Sequence, residues 1–185
     1  MPTVQYYFAQ SLDGYIAESN HGLDWLVGHD GDGESDASEA TDGTYDEFFA
    51  QVGALAMGSA TYEVVLEEAT SGWPYGGTPA WVFTSRELPV PEGADIRFVS
   101  GPVGPALEEM GAAAGDRNVW VAGGGDLAMQ FADAGLLDEL HITIVPAVLG
   151  AGIPAFSGRL VGRLRLEGTR AFGNGMVELR YGFRR

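Results

Sequence analysis

"VWVAGGGDLAMQF", residues 119–131, is the stretch on which the fold turns. An apolar run that reads as a strand leads into Gly123, Gly124 and Gly125, and an amphipathic run that reads as a helix over 126–138 follows. Each glycine costs conformational entropy on folding, so three in a row call for a reason. In open α/β sheets, ligands lie beyond the carboxyl ends of the strands, where helix N-termini present unpaired amides. A strand, three glycines and a helix make a surface that phosphate oxygens can approach with no Cβ in the way. The tripeptide alone is equally compatible with a flexible turn holding one glycine at positive φ.

Outward from this junction, strand and helix alternate. "NVWVA" (118–122) is preceded by a helical run over 104–114, and before that by two strands, "AWVFTS" (80–85) and "DIRFVS" (95–100). "ALAMG" (54–58) is a buried-type strand, and Ser59, Ala60 and Thr61 lead from it into a helix carrying Tyr62, Val65 and Leu66. A further helix begins at Thr44, which with Glu47 has the spacing of a capping box ahead of Tyr45, Phe48, Phe49 and Val52. "TVQYYFAQ" (3–10) opens the chain as a strand, with Val4, Tyr6 and Phe8 on one side and Gln5, Tyr7 and Ala9 on the other. On the C-terminal side, "LHITIVPAVLG" (140–150) alternates as a strand interrupted by Pro146, which suggests an edge or a bulge. The tail forms two alternating runs around an Asn-containing turn, a hairpin signal. Repeated β–α–β units predict an α/β fold with a mixed, mostly parallel sheet and a C-terminal antiparallel hairpin, in one domain spanning residues 1–185.

Composition removes several chemistries. The chain has no cysteine and no lysine; all ten basic residues are arginine. Disulfides, thiolate metal sites, cysteine nucleophiles, Schiff-base lysines and the lysine of a G-x-x-x-x-G-K-[ST] loop are therefore excluded. A net charge of −16 argues against nucleic acid or an anionic membrane as partner. No run is long and apolar enough to span a membrane and no leader is evident, so a cytoplasmic protein is expected. Asp30, Asp32, Glu34 and Asp36 imitate a calcium loop, but Ser35 and Thr41 stand where its glycine and bidentate glutamate belong. His21, His29 and His141 are scattered, so no metal site is expected.

Two more strand ends share the character of the first. "MGSAT" (57–61) pairs a glycine with hydroxyls at a helix start, and "FTSR" (83–86) sets Thr84, Ser85 and Arg86 side by side. Two hydroxyls and a guanidinium suit a phosphate monoester, such as the 2′-phosphate that separates NADP from NAD. Ordinary capping and a solvated arginine account for each taken alone.

With "SLDGYIA" (11–17), "AMGSATYE" (56–63), "VFTSR" (82–86), "VWVAGGGDLAMQFADAGLLDEL" (119–140) and "HITIVPAVLGAGIPAF" (141–156) in this order, the chain resembles the dihydrofolate reductase-like superfamily. Within it, the branch that includes the C-terminal reductase domain of riboflavin biosynthesis is the nearest in pattern. The resemblance implies a three-layer sandwich of helices around the sheet, with NADPH bound across the strand ends. Carried over by position, Ala9 and Ile16 touch the nicotinamide end, and Gly58, Ser59, Ala60 and Thr61 hold phosphate at a helix start. Thr84, Ser85 and Arg86 meet the 2′-phosphate, and Gly123, Gly124, Gly125, Asp126 and Leu127 cradle the pyrophosphate. Asp126 is the awkward member, since a carboxylate repels phosphate; a helix-capping role is expected of it.

The resemblance also implies a substrate between the 13–25 loop and the first helix, touching Asp13, Trp25 and Phe49. Asp46 or Glu47 can supply the catalytic carboxylate, Asp46 being the candidate because Glu47 already has the capping role, with a solvated surface acid as the bland alternative; Asp13 can equally be a turn residue, and Trp25 a core anchor. Trp73 and Tyr75 line a pocket or pack. The expected function is NADPH-dependent hydride transfer to a pyrimidine- or pterin-like heterocycle, as in 5-amino-6-(5-phosphoribosylamino)uracil reductase or dihydrofolate reductase. A non-catalytic nucleotide-binding or ligand-sensing module on the same fold is the alternative. "IPAF" and the aromatic tail offer a homodimer interface, with a monomer equally compatible.

Overall fold

Strands rich in small and β-branched apolar residues, several of them leading directly into a helix, organise the chain. The structure, a computed structural model, describes residues 2–27, 43–69, 72–160 and 162–184. In order, these form β1 (Val4–Ser11), β2 (Tyr15–Ala17), α1 (Asp24–Val27), α2 (Thr44–Phe49), β3 (Val52–Gly58), α3 (Ser59–Glu68), β4 (Ala80–Phe83), β5 (Ile96–Val99), α4 (Val103–Ala114), β6 (Asn118–Gly123), α5 (Gly125–Asp133), β7 (Glu139–Val145), β8 (Ile153–Pro154), β9 (Leu164–Ala171) and β10 (Val177–Phe183). Eight strands form one sheet in the order β5-β4-β3-β6-β1-β7-β10-β9, and β2 pairs with β8 in a small second sheet.

The described residues fall into two compact units, those within 1–6, 52–138 and 156–161 in the first and those within 7–51, 139–155 and 162–185 in the second. In the first unit the pairings β1·β6, β3·β6, β3·β4 and β4·β5 are all parallel. Parallel strands covered on both faces read as continuous apolar runs, and Val52 to Met57 are buried without a break. Gly53 permits α4 to lie against β3: a Cβ there would stand 2.7 Å from the Cα and carbonyl oxygen of Ala114.

In the second unit β10 runs antiparallel to both β7 and β9. The expected hairpin is therefore present, its turn closed by Phe172 N–H to Met176 O and by Met176 N–H to Asn174 Oδ1, with Gly175 at φ 87°. β9 is an edge, and its outward charges Arg165 and Glu167 are what an unpaired strand border carries.

Several local expectations are corrected. The strand expected over 140–150 ends at Val145, because Pro146 supplies no ladder donor; β7 lies inside the sheet, not at its edge. The helix expected to reach 138 stops at Asp133. Gly135 at φ 68°, with Gly135 N–H to Ala132 O and Leu136 N–H to Phe131 O, closes it in a Schellman motif. The Thr44–Glu47 capping box does not form. Gly43, at φ 76°, is the N-cap, Thr44 is already helical, and its hydroxyl accepts a hydrogen bond from Arg170. Nor does Asp126 cap its helix: Gly124 is the N-cap with no side-chain cap, and Asp126 faces solvent in the first turn, where the helix dipole favours a carboxylate.

Candidate functional site

In the first unit, β3 and β6 are parallel neighbours, and each runs through a glycine into a helix. Gly58 is the N-cap of α3 and Gly124 the N-cap of α5, and neither helix has a side-chain cap. The first-turn amides of two helices are thus left without side-chain acceptors at adjoining strand ends. The ends touch, since a Cβ on Gly58 would lie 3.9 Å from Gly124 N.

The glycines differ in what requires them. At Gly123 the chain itself does: φ is 150°, and a Cβ would meet Thr61 Oγ1 at 2.9 Å and Thr61 Cγ2 at 3.2 Å. The peptide bond from Gly123 to Gly124 is cis. At Gly58, by contrast, φ −77° and ψ 162° suit any residue, and the Gly124 amide at ordinary contact distance is the one nearby atom. The fold does not demand a bare backbone there. Side-chain-free amides, the Thr61 hydroxyl and two positive helix ends fit the oxygens of a dinucleotide's pyrophosphate.

Thr84, Ser85 and Arg86 follow β4. The Thr84 hydroxyl accepts the Arg86 amide at 3.0 Å, fixing the turn. The Arg86 guanidinium already grips a carboxylate, donating to Glu63 Oε1 at 3.0 Å and to Oε2 at 2.7 Å. Hydrogen bonding to Arg86 holds the Glu63 carboxyl below its ordinary value, and Glu63 in turn raises the arginine. Both side chains are about half exposed, 53% and 41%. Sequence reading missed Glu63, although it belongs to the quoted "AMGSATYE".

The remaining candidates belong to the second unit, where Asp13 is a brace. Its Oδ1 accepts from the Ser11 hydroxyl at 2.7 Å and from Leu149 N–H at 3.1 Å; its Oδ2 accepts from Gly150 N–H at 2.7 Å. These donors, Ser11 first, hold its carboxyl below the ordinary range. With Leu12 N–H on Ala147 O and the β2·β8 pairing, they tie "SLDGYIA" to the loop after β7. Ile16 lies in β2, and Ala9 packs beside Trp25, which is buried with Val145, Phe172 and Met176. The Trp25 Nε1 donor is buried without a partner, so this core anchor retains an unused hydrogen bond.

Asp46 is exposed, on the opposite side of α2 from buried Phe48. The geometry does not bring it to the interior; Phe49, half-buried, stacks on Tyr45. What α2 covers instead is a polar strip absent from the expected residues. Phe48 stacks on Tyr7 at 4.4 Å and lies 5.5 Å from His141, whose Nε2 is 3.1 Å from Glu139. Thr143 and Glu178 are cross-strand partners and both buried. Burial pushes the Tyr7 phenol up, the Thr143 hydroxyl opposes and Glu178 adds to the rise. The signal was the alternation of polar residues along one face of the two strands, Glu139, His141 and Thr143 in β7 and Glu178 and Arg180 in β10. Trp73 and Tyr75 pack, edge to face with each other and with Tyr75 against Trp120; burial pushes the Tyr75 phenol up to about 12. Among the described residues no cluster of ligating side chains forms a metal site. The calcium-like residues 30–41 and His29 lie outside the described residues.

The sequence model of the RibD C-terminal domain matches residues 2–178. The chain belongs to the RibD C-terminal domain family. Among relatives of this RibD C-terminal domain is the uncharacterized protein YwjB of Bacillus subtilis, 34% identical over 177 residues, which are 95% of this chain and 94% of that one. A protein of Shewanella sp. PV-4, provisionally assigned to riboflavin biosynthesis, superposes with a TM-score of 0.79 at 27% identity over 99% of both chains. Dihydrofolate reductase from Enterococcus faecalis, complexed with NADP(H) and RAB-propyl, matches with a TM-score of 0.61 over 99% of this chain and 97% of its own. At 16% identity that likeness speaks for the fold alone. The expected family and fold class are thus met. No helix among the described residues is long and apolar enough to cross a membrane.

Proposed function

We propose that this RibD C-terminal domain is an NADPH-dependent reductase of a small pyrimidine- or pterin-like heterocycle. The observation that carries the reading is the pair of uncapped helix starts at Gly58 and Gly124, with Gly58 bare where the fold does not require it. A reduced nicotinamide dinucleotide, when bound, supplies the hydride, so the chain needs no nucleophile and the absence of cysteine and lysine is no obstacle. Its own residues bind and orient. The amides after Gly58 and Gly124 and the Thr61 hydroxyl hold pyrophosphate oxygens, and Thr84, Ser85 and Arg86 take the 2′-phosphate. Ser11 and Asp13 hold their loop in one conformation.

The exposure of Asp46 favours a second reading, a module that binds a nucleotide without turnover, because the proton source expected there does not face inward. Titration of nicotinamide fluorescence with wild type and Gly58→Ala tests the cradle. The alanine suits the extended backbone, and the entropy it saves in the unfolded chain is offset by its poorer fit to an N-cap, so stability falls by no more than about 1 kcal/mol, while NADPH affinity falls about tenfold or more as the Cβ displaces phosphate. Wild type that binds neither NADPH nor NADH ends the reductase reading. Binding without oxidation of NADPH by any aminopyrimidine or pterin selects the second.

A further inference from the structure

We propose that Glu63 sets how sharply the protein distinguishes NADPH from NADH, by competing with the 2′-phosphate for the Arg86 guanidinium. This rests on the phosphate-anchoring reading above and concerns a residue that reading does not use. Arg86 is the one basic residue in the three junction segments 58–61, 84–86 and 123–127, so the positive charge available to a phosphate monoester there is its own. Both of its Nη atoms are directed at Glu63, one onto each carboxylate oxygen. A planar two-bond fork of this kind is the geometry with which arginine holds a phosphate, and the carboxylate occupies it first.

The consequences differ for the two dinucleotides. A 2′-phosphate must either displace Glu63 from the fork or bind the remaining Nε edge with a carboxylate beside it; in both cases the negative charge of Glu63 opposes it. A free 2′-hydroxyl carries no charge to repel and can donate to the carboxylate, the role an acidic residue plays toward ribose in dinucleotide folds. Glu63 therefore favours NADH and disfavours NADPH, while Arg86 does the reverse. Because the pair is half exposed and screened by water, exchange between partners is cheap, so the effect is a shift in preference and not an exclusion. The position of Glu63 in the second turn of α3, the helix that Gly58 opens, keeps it beside the junction whatever is bound.

The test is a fluorescence titration of NADPH and NADH against wild type, Glu63→Gln and Arg86→Ala. Glu63→Gln is expected to raise the ratio of NADPH to NADH affinity by roughly tenfold, through tighter NADPH and weaker NADH. Arg86→Ala is expected to bring the ratio toward one. Thermal melts verify that each variant is folded, and Glu63→Ala repeats the measurement without an amide able to bond Arg86. An unchanged ratio in both Glu63 variants, with a lowered ratio in Arg86→Ala, overturns the competition and leaves the dinucleotide reading intact. Wild type that binds neither coenzyme overturns both.

Discussion

Asp13 shows how one side chain can carry the signature of a binding residue and serve the fold. Its two oxygens accept three hydrogen bonds, from Ser11 and from the amides of Leu149 and Gly150, and so join two loops far apart in sequence. These donors favour the charged form and lower the carboxyl from its ordinary value of 3.8. A carboxyl depressed on folding stabilises above its unfolded pKa, and that contribution is lost as pH falls through the folded value. Chemical denaturation of wild type and Asp13→Asn should therefore show wild type the more stable near pH 6, with the gap narrowing below about pH 4. A gap that is constant with pH would mean that the brace does not depend on charge. The glycines make the same point in reverse: Gly123 is bare because Thr61 and a positive φ leave no room, whereas Gly58 is an N-cap at an ordinary φ with room around it, where serine or asparagine would serve the fold as well.

Among elements, helix ends were the least legible. Thr44 and Glu47 have the spacing of a capping box, yet Gly43 takes the cap and Arg170, from β9, takes the Thr44 hydroxyl. Capping signals are local, and a distant arginine outbids them without leaving a trace in the neighbouring sequence. The end of α5 is hidden in the sequence because Leu136 and Leu137 continue the apolar pattern, while Gly135 reverses the chain. Sheet-to-helix spacing carries its own prediction. A methyl added at Gly53 points at the backbone of Ala114, which cannot swing away as a side chain can. Gly53→Ala should cost about 1–3 kcal/mol by urea denaturation. Gly104→Ala, in the same α4 with open space around it, should be neutral or stabilising by up to about 1 kcal/mol.

For the molecule as a whole, the dominant quantity is charge. A net −16 on 185 residues destabilises the compact state through self-repulsion, which salt screens within about 10 Å at 0.1 M. The melting temperature should rise between about 0.01 M and 0.15 M sodium chloride; a fall would indicate that pairs such as Arg86–Glu63 and Arg97–Asp95 matter more than the excess acid. Apolar period, glycine junctions and the order of the motifs determined the strand–helix alternation, the antiparallel tail and the family, because each is written in residues close together in the chain. The tertiary structure alone decided which groups meet: Glu63 with Arg86 across a helix and a strand end, Asp13 with the loop after β7, Thr143 beside Glu178, and His141 against Phe48. Hydrophobic periodicity records which face is buried, but a polar partner is chosen by the path of the folded backbone, and no local pattern encodes that path.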